Sequence, residues 1–140
     1  MDENMPAART FVAAPAGAGL PDPLAGLRIA DAHLERVLRG QDYLVQDGAM
    51  GTLLQERGLT AHGELPDLLN FSDPDAIADI HVGYVRVGAE MITTNTFSAN
   101  AHKLEGRATV ADVYRAAAAN ARAAGARYVA GGLGPIGMLL

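Results

Sequence analysis

The sequence has no cysteine and no tryptophan, and only 5% of its 140 residues are aromatic. The first absence excludes disulfides, Cys-ligated zinc and thiol nucleophiles together. Few aromatics, with much of the 49% apolar content supplied by alanine, predict a core that buries little area per residue. Folded domains keep a surplus of only about 5–15 kcal/mol over a large entropy cost, so a thin core bears directly on stability. No apolar run approaches the ~20 residues that span a bilayer. The chain also lacks a basic excess. Its formal net charge of −5 argues against a nucleic-acid binder, which would show a basic face, yet is too small for an acidic disordered tail. The opening Met1-Asp2-Glu3 has the wrong charge for a signal or transit peptide. The expectation is a soluble, cytoplasmic protein with neither nucleic acid nor membrane as a partner.

Residues 1–23 are dominated by Ala, Pro and Gly without an apolar period, which predicts a disordered extension ahead of a partial domain over residues 24–140. Across residues 24–39, Leu27, Ala30, Leu34 and Leu38 keep helical spacing, and Gly40 supplies a C-cap. Residues 43–47 form a short apolar run closed by Asp47 and Gly48, the pattern of a buried strand entering a tight turn. Leu53 and Leu54 fall in a short helical stretch ended by Gly58, and residues 59–71 read as a loop. Ser72-Asp73-Pro74-Asp75 supplies an N-cap, an early proline and an acid. Ile77, Ile80, Tyr84 and Val87 continue that helix to Gly88. A second strand spans residues 90–94, and Glu90 at its start reads as a surface acid. A loop follows over 97–108. Thr109 and Asp112 make a capping box for the stripe Val110, Val113, Ala117, Ala121 and Ala124, which Gly125 ends. A third strand covers residues 127–130. Strands alternating with helices predict an α/β fold around a parallel sheet. Such a sheet needs both faces covered, and three strands with their helices can hardly cover themselves. The order reads as an interrupted pattern.

Three polar segments follow the predicted strands: DGAMGT at 47–52, TTNTF at 93–97 and GGLGPIG at 131–137. The C-terminal edge of parallel strands is where an α/β barrel builds its active site. Asp47 can accept a hydrogen bond from a ligand amine, with Gly48 letting backbone approach a carboxylate; alternatively Asp47 caps the strand-to-helix turn. Thr94, Asn95 and Thr96 suit a polar pocket wall, or a loop bonded to its own backbone. Gly132, Gly134 and Gly137 match G-x-G-x-x-G, but a dinucleotide site needs a helix there and an acid ~20 residues on. Pro135 sits inside the turn and the sequence stops first. His33, His62, His81 and His102 are scattered without metal-site spacing. His81 is expected to be a partly buried structural residue.

Taken in order, DGAMGT, then LPDLLNFSDPDAIADIHVGYVRVGAEMITTNTFSAN, then VAGGLGPIG resemble the homocysteine S-methyltransferase family over residues 43–140. The family includes the N-terminal module of cobalamin-dependent methionine synthase and the betaine–homocysteine methyltransferases. The resemblance implies the N-terminal fragment of a (β/α)₈ TIM barrel, with about three parallel strands and their helices. It implies methyl transfer to the sulfur of homocysteine, with zinc held by three cysteines. Zinc stabilises the thiolate, which is the nucleophile. The methyl donor varies: a methylfolate through cobalamin, betaine or a sulfonium compound. By the same resemblance Asp47 and Gly48 meet the amino-acid end of homocysteine, Thr94, Asn95 and Thr96 line the same pocket, Thr52 supports the turn, and Asn70 makes a structural bond. The family's cysteines are absent here. The resemblance therefore implies a chain truncated before its metal ligands and inactive alone. A second chain completing a split barrel, or a non-catalytic amino-acid-binding module, are the alternatives.

Overall fold

Four of the six α-helices among the described residues begin where a short acceptor side chain takes an orphan N–H of the first turn. A computed structural model of the chain describes residues 22–60 and 64–136. It divides into two compact units, Met1–Gln41 and Asp42–Leu140. Residues 1–21, which hold most of the predicted extension, lie outside the described residues.

In the first unit the leading helix is shorter than its apolar spacing predicts. Helix α1 covers Ala32–Leu38, because Asp31 is extended at φ −159° and its carboxylate caps Leu34 N–H at 2.9 Å. No residue of α1 is buried. Arg39 bonds Asp22 and Glu35, and the guanidinium holds the exposed Asp22 carboxyl below its usual range.

The second unit runs α2 (Met50–Glu56), a 3₁₀ turn (Pro66–Leu68), α3 (Leu69–Ser72), α4 (Pro74–Arg86), β1 (Met91–Thr93), α5 (Ala101–Leu104), α6 (Val110–Ala123) and β2 (Tyr128–Ala130). Strands β1 and β2 are parallel and pair Met91 with Tyr128, Ile92 with Val129 and Thr93 with Ala130. The first predicted strand is reduced to one parallel bridge, Gln46 to Met91. Asp47 N–H donates to Met91 O at 3.0 Å and Met91 N–H to Val45 O at 3.2 Å. The segment therefore follows the ladder without extending it. Tyr43 and Val45 remain 78% and 48% exposed, so little apolar burial holds a longer pairing in place. Glu90 is no simple surface acid: it accepts from Val45 N–H at 3.4 Å and pairs with Arg127 at 3.7 Å, tying three strand segments together.

Asp73, one residue after the predicted cap Ser72, starts α4 by accepting from Ala76 N–H, with Pro74 at the first helical position. Ser72 instead closes α3, where its hydroxyl turns back to Leu68 O. Thr109 starts α6 and accepts Asp112 N–H at 3.1 Å. Gly125 ends it at φ 78°, a left-handed conformation that costs glycine nothing. Two predicted loops carry short helices: the 3₁₀ turn and the start of α3 fall within 59–71, with α3 running on to Ser72, and α5, capped by Asn100, lies within 97–108.

The core is a set of small clusters. Leu54, Ile77 and Ile80 pack α2 against α4. Ala89, Ile92 and Ala121 seat α6 on the sheet. Ala99, Leu104 and Val113 join α5 to α6. Each buried Leu or Ile contributes about 1.5–3 kcal/mol relative to exposure, whereas an alanine contributes far less. The alanine stripe of α6 lets that helix approach closely but buries little, as the composition predicts. No helix among the described residues is long and apolar enough to cross a membrane.

Candidate functional site

The polar segments after residues 45–47 and after β1 meet at one cavity of about 400 Å³. Asp47, Gly48, Thr94, Asn95 and Thr96 all lie in its wall. Thr52 does not: it stands exposed on α2, and Met50 and Gly51 occupy the wall on that side. Pro66, Asp67 and Ser98 complete it.

Asp47 caps no helix. The residue before α2 is Ala49, which offers no side-chain cap. Both Asp47 oxygens turn instead to β1, accepting Thr93 N–H at 2.9 Å and the Thr93 hydroxyl at 2.9 Å. Gln46 donates to the same Thr93 oxygen at 2.9 Å. Thr93 thus holds the carboxylate at the strand mouth with its second lone pairs available.

Thr94 and Thr96 are buried and bonded to each other and to the glycine segment. Gly132 N–H donates to Thr94 Oγ1 at 3.0 Å, and Thr96 Oγ1 donates to Gly132 O at 2.7 Å. A hydroxyl has one proton. Thr96 gives its proton to Gly132, so the 2.8 Å contact between hydroxyls has Thr94 as donor. Both protons are committed, and each hydroxyl can offer a ligand only a lone pair. Tyr114 also donates to Gly132 O at 2.8 Å. The third segment is bound here by its backbone, and no helix follows it through residue 136. Gly134 must be glycine: a Cβ there would stand 1.9 Å from Phe97 O.

Asn95 donates to Pro66 O at 2.8 Å. Asn70, buried on α3, donates to Asp67 O and to Asn95 O, each at 2.7 Å. Asn120 of α6 reaches Asn70 O at 3.2 Å. The structural bond expected of Asn70 is therefore a double one that joins the two walls. Asp67 is 1% exposed, accepts Ser98 N–H at 2.9 Å, and has its pKa raised, chiefly by burial, against the opposing pull of the Ser98 N–H and of Lys103. Sequence reading misses it because it lies in a predicted loop. The only signal is an acid beside a proline, Pro66-Asp67.

His81 is wholly buried, beyond the partial burial expected. Neither ring nitrogen has a hydrogen-bond partner. Burial lowers its pKa, and the Asp47 charge opposes this only in part. No group of three His, Asp or Glu side chains among the described residues is placed to hold a metal.

Residues 44–140 match the sequence model of the family described as homocysteine S-methyltransferase. The chain belongs to the homocysteine S-methyltransferase family. Relatives of this family include the methionine synthase of Mycobacterium leprae, 39% identical over 80 residues that cover 54% of this chain and 7% of the relative. The betaine–homocysteine S-methyltransferase 1 of Rattus norvegicus is 31% identical over 85 residues, covering 61% of this chain and 21% of its own length. Among solved structures, the oxidized form of the Escherichia coli homocysteine methyltransferase MmuM superposes with a TM-score of 0.65 at 27% identity, over 76% of this chain and 42% of that one. The chain thus spans less than half the length of each of these relatives. The homocysteine S-methyltransferase resemblance implies zinc on three cysteines, and the residues present do not fit it: there is no cysteine and no alternative ligand cluster among the described residues.

Proposed function

We propose that residues 42–140 form the amino-acid-binding portion of a homocysteine S-methyltransferase, built as a section of a (β/α)₈ barrel. The carrying observation is the acceptor character of the cavity wall. Asp47, Thr94 and Thr96 offer lone pairs and no free proton, which suits the ammonium of an amino acid. Asp47 meets that ammonium, Gly48 allows close backbone approach to the ligand, and Thr94, Asn95 and Thr96 shape the wall around it. Thr52 supports the turn from outside the cavity wall. The transfer of a methyl group needs a thiolate, and zinc would stabilise it. No residue of this chain supplies the ligands, so that part of the site comes from polypeptide other than these 140 residues, in the same protein or in a second chain. No residue here is assigned to a methyl donor, whether a methylfolate with cobalamin or another.

Thermal unfolding of the purified chain with and without millimolar L-homocysteine or L-methionine tests this reading. A bound ligand raises the midpoint by mass action. The expected result is an upward shift with both amino acids; no shift with either would remove the reading.

A further inference from the structure

The proposed site uses Asp47, but a second carboxylate lies in the same wall. Asp67 sits in the 3₁₀ turn Pro66–Leu68, 1% exposed, and lines the cavity with Asp47. Its surroundings are unusual for a buried acid. It makes no ion pair with any described residue; its carboxylate accepts the Ser98 backbone N–H at 2.9 Å and is also met by its own backbone N–H and that of Ala99. Buried carboxylates without a cation are costly and are normally paired. Its position is firmly set, because Asn70 donates to Asp67 O at 2.7 Å and Asn95 to Pro66 O at 2.8 Å.

We propose that Asp67 is a specificity-determining residue, the second carboxylate that receives the ammonium of the amino-acid ligand opposite Asp47. This rests on the reading of the cavity as an amino-acid site and adds the group that makes it selective for a cationic end. The threonine hydroxyls cannot provide that selectivity, since a lone pair on a neutral oxygen discriminates weakly. An ammonium bound in this wall gives both carboxylates a charged hydrogen-bond donor, which a ligand without an amino group cannot do. The charged group bearing on Asp67 is Lys103 of α5, whose attraction acts on it from a distance.

The test compares L-homocysteine with 4-mercaptobutanoate, the same thiol acid without its amino group, on the unsubstituted chain and on Asp67→Asn. Asparagine keeps one oxygen for Ser98 N–H, removes the charge and replaces the second oxygen by an amide nitrogen, a change that both ligands meet alike. Binding is followed by calorimetry and folding by the thermal transition. The expected result is about tenfold or more weaker binding of homocysteine by the variant, since a charged hydrogen bond is worth about 1.5–3 kcal/mol and 1.4 is a factor of ten. Affinity for the thiol acid should stay within about twofold. Equal losses for both ligands, or no loss for either, would overturn the assignment while leaving the amino-acid reading intact. Failure of the unsubstituted chain to bind homocysteine would remove both. If Asp67→Asn does not fold, carboxyl-carbon NMR of the unsubstituted chain decides. The Asp67 titration should move to lower pH with saturating homocysteine and stay in place with the thiol acid; an unmoved titration overturns the proposal.

Discussion

Thr94 and Thr96 share a hydrogen bond of 2.8 Å between their hydroxyls, and both are bonded to the backbone of Gly132, 38 and 36 residues away. The closed ring joins the end of β1 to the segment after β2 in the absence of further strand pairing. Thr96→Val removes the donor to Gly132 O and the acceptor for Thr94, leaving the buried Thr94 proton without an acceptor while Gly132 N–H still donates to its oxygen. The expected loss is about 1–3 kcal/mol, or about 4–8 °C in melting midpoint per kcal/mol for a domain of this size. Thr96→Ser should retain most of the stability. If valine and serine variants melt together, the ring contributes nothing.

The same junction is exposed to a steric test. A Cβ on Gly134 would lie 1.9 Å from Phe97 O and 2.9 Å from Phe97 C, both backbone atoms that cannot swing aside. Gly131, three residues earlier, would place its Cβ with nothing inside 4 Å. Gly134→Ala should therefore displace the segment from β1 at an overpacking cost of about 1–3 kcal/mol, and Gly131→Ala should be close to neutral. Urea denaturation of the two variants side by side checks the contrast.

Much of this arrangement was legible because it is local. Asp73 with Pro74 and Thr109 with Asp112 announce their helices from within four residues, and Gly125 ends α6 for a reason internal to its own backbone. The family motifs located the cavity. What escaped depends on distant partners. Asp67 reads as a loop acid until Ser98 and Asn95 are folded against it. The first strand reads as a full strand because apolar spacing says nothing of how many ladder bonds form, and only one bridge does. Helix α1 was overextended for the reverse reason: Leu27 keeps helical period yet is 59% exposed, and Asp31 stops the helix before reaching it.

His81 predicts a pH dependence whose sign follows from burial. Its native pKa is lowered, first by desolvation, with Asp47 opposing, while the unfolded value is about 6.5. Above that, histidine is neutral in both states and contributes no slope. As pH falls below about 6.5 the unfolded chain takes a proton that the native chain refuses, so stability falls, by up to about 1.4 kcal/mol per pH unit until the native value is reached. Asp67 acts in the opposite sense. Its native pKa is raised, so as pH falls through that value toward the unfolded ~3.9 the native state takes the proton first and gains stability. His81→Leu should abolish the loss just below pH 6.5 and leave the acid-side gain. Because both ring nitrogens are unpartnered, the apolar variant should be at least as stable at pH 7. Denaturant midpoints from pH 7.5 to 4 measure this, and a variant with the parent's slope between pH 6.5 and 5.5 would show that the slope belongs to another group.

Asn70 sits outside the cavity wall yet sets two parts of it. One side-chain nitrogen donates to Asp67 O and Asn95 O, at 2.7 Å each, from a residue 3% exposed. Asn70→Ala strands both carbonyls, at about 1–3 kcal/mol for each one left without a donor. Asn70→Asp should be no better, since it keeps the shape but replaces the donor by a charged acceptor facing two carbonyls. Asn120→Ala is the control: its nitrogen reaches Asn70 at 3.2 and 3.4 Å and is only part-buried, so its removal should cost less than half as much. Equilibrium denaturation ranks the three variants. If Asn120→Ala costs as much as Asn70→Ala, the walls are held chiefly by α6 packing on α3, and the two short bonds follow from that packing without determining it.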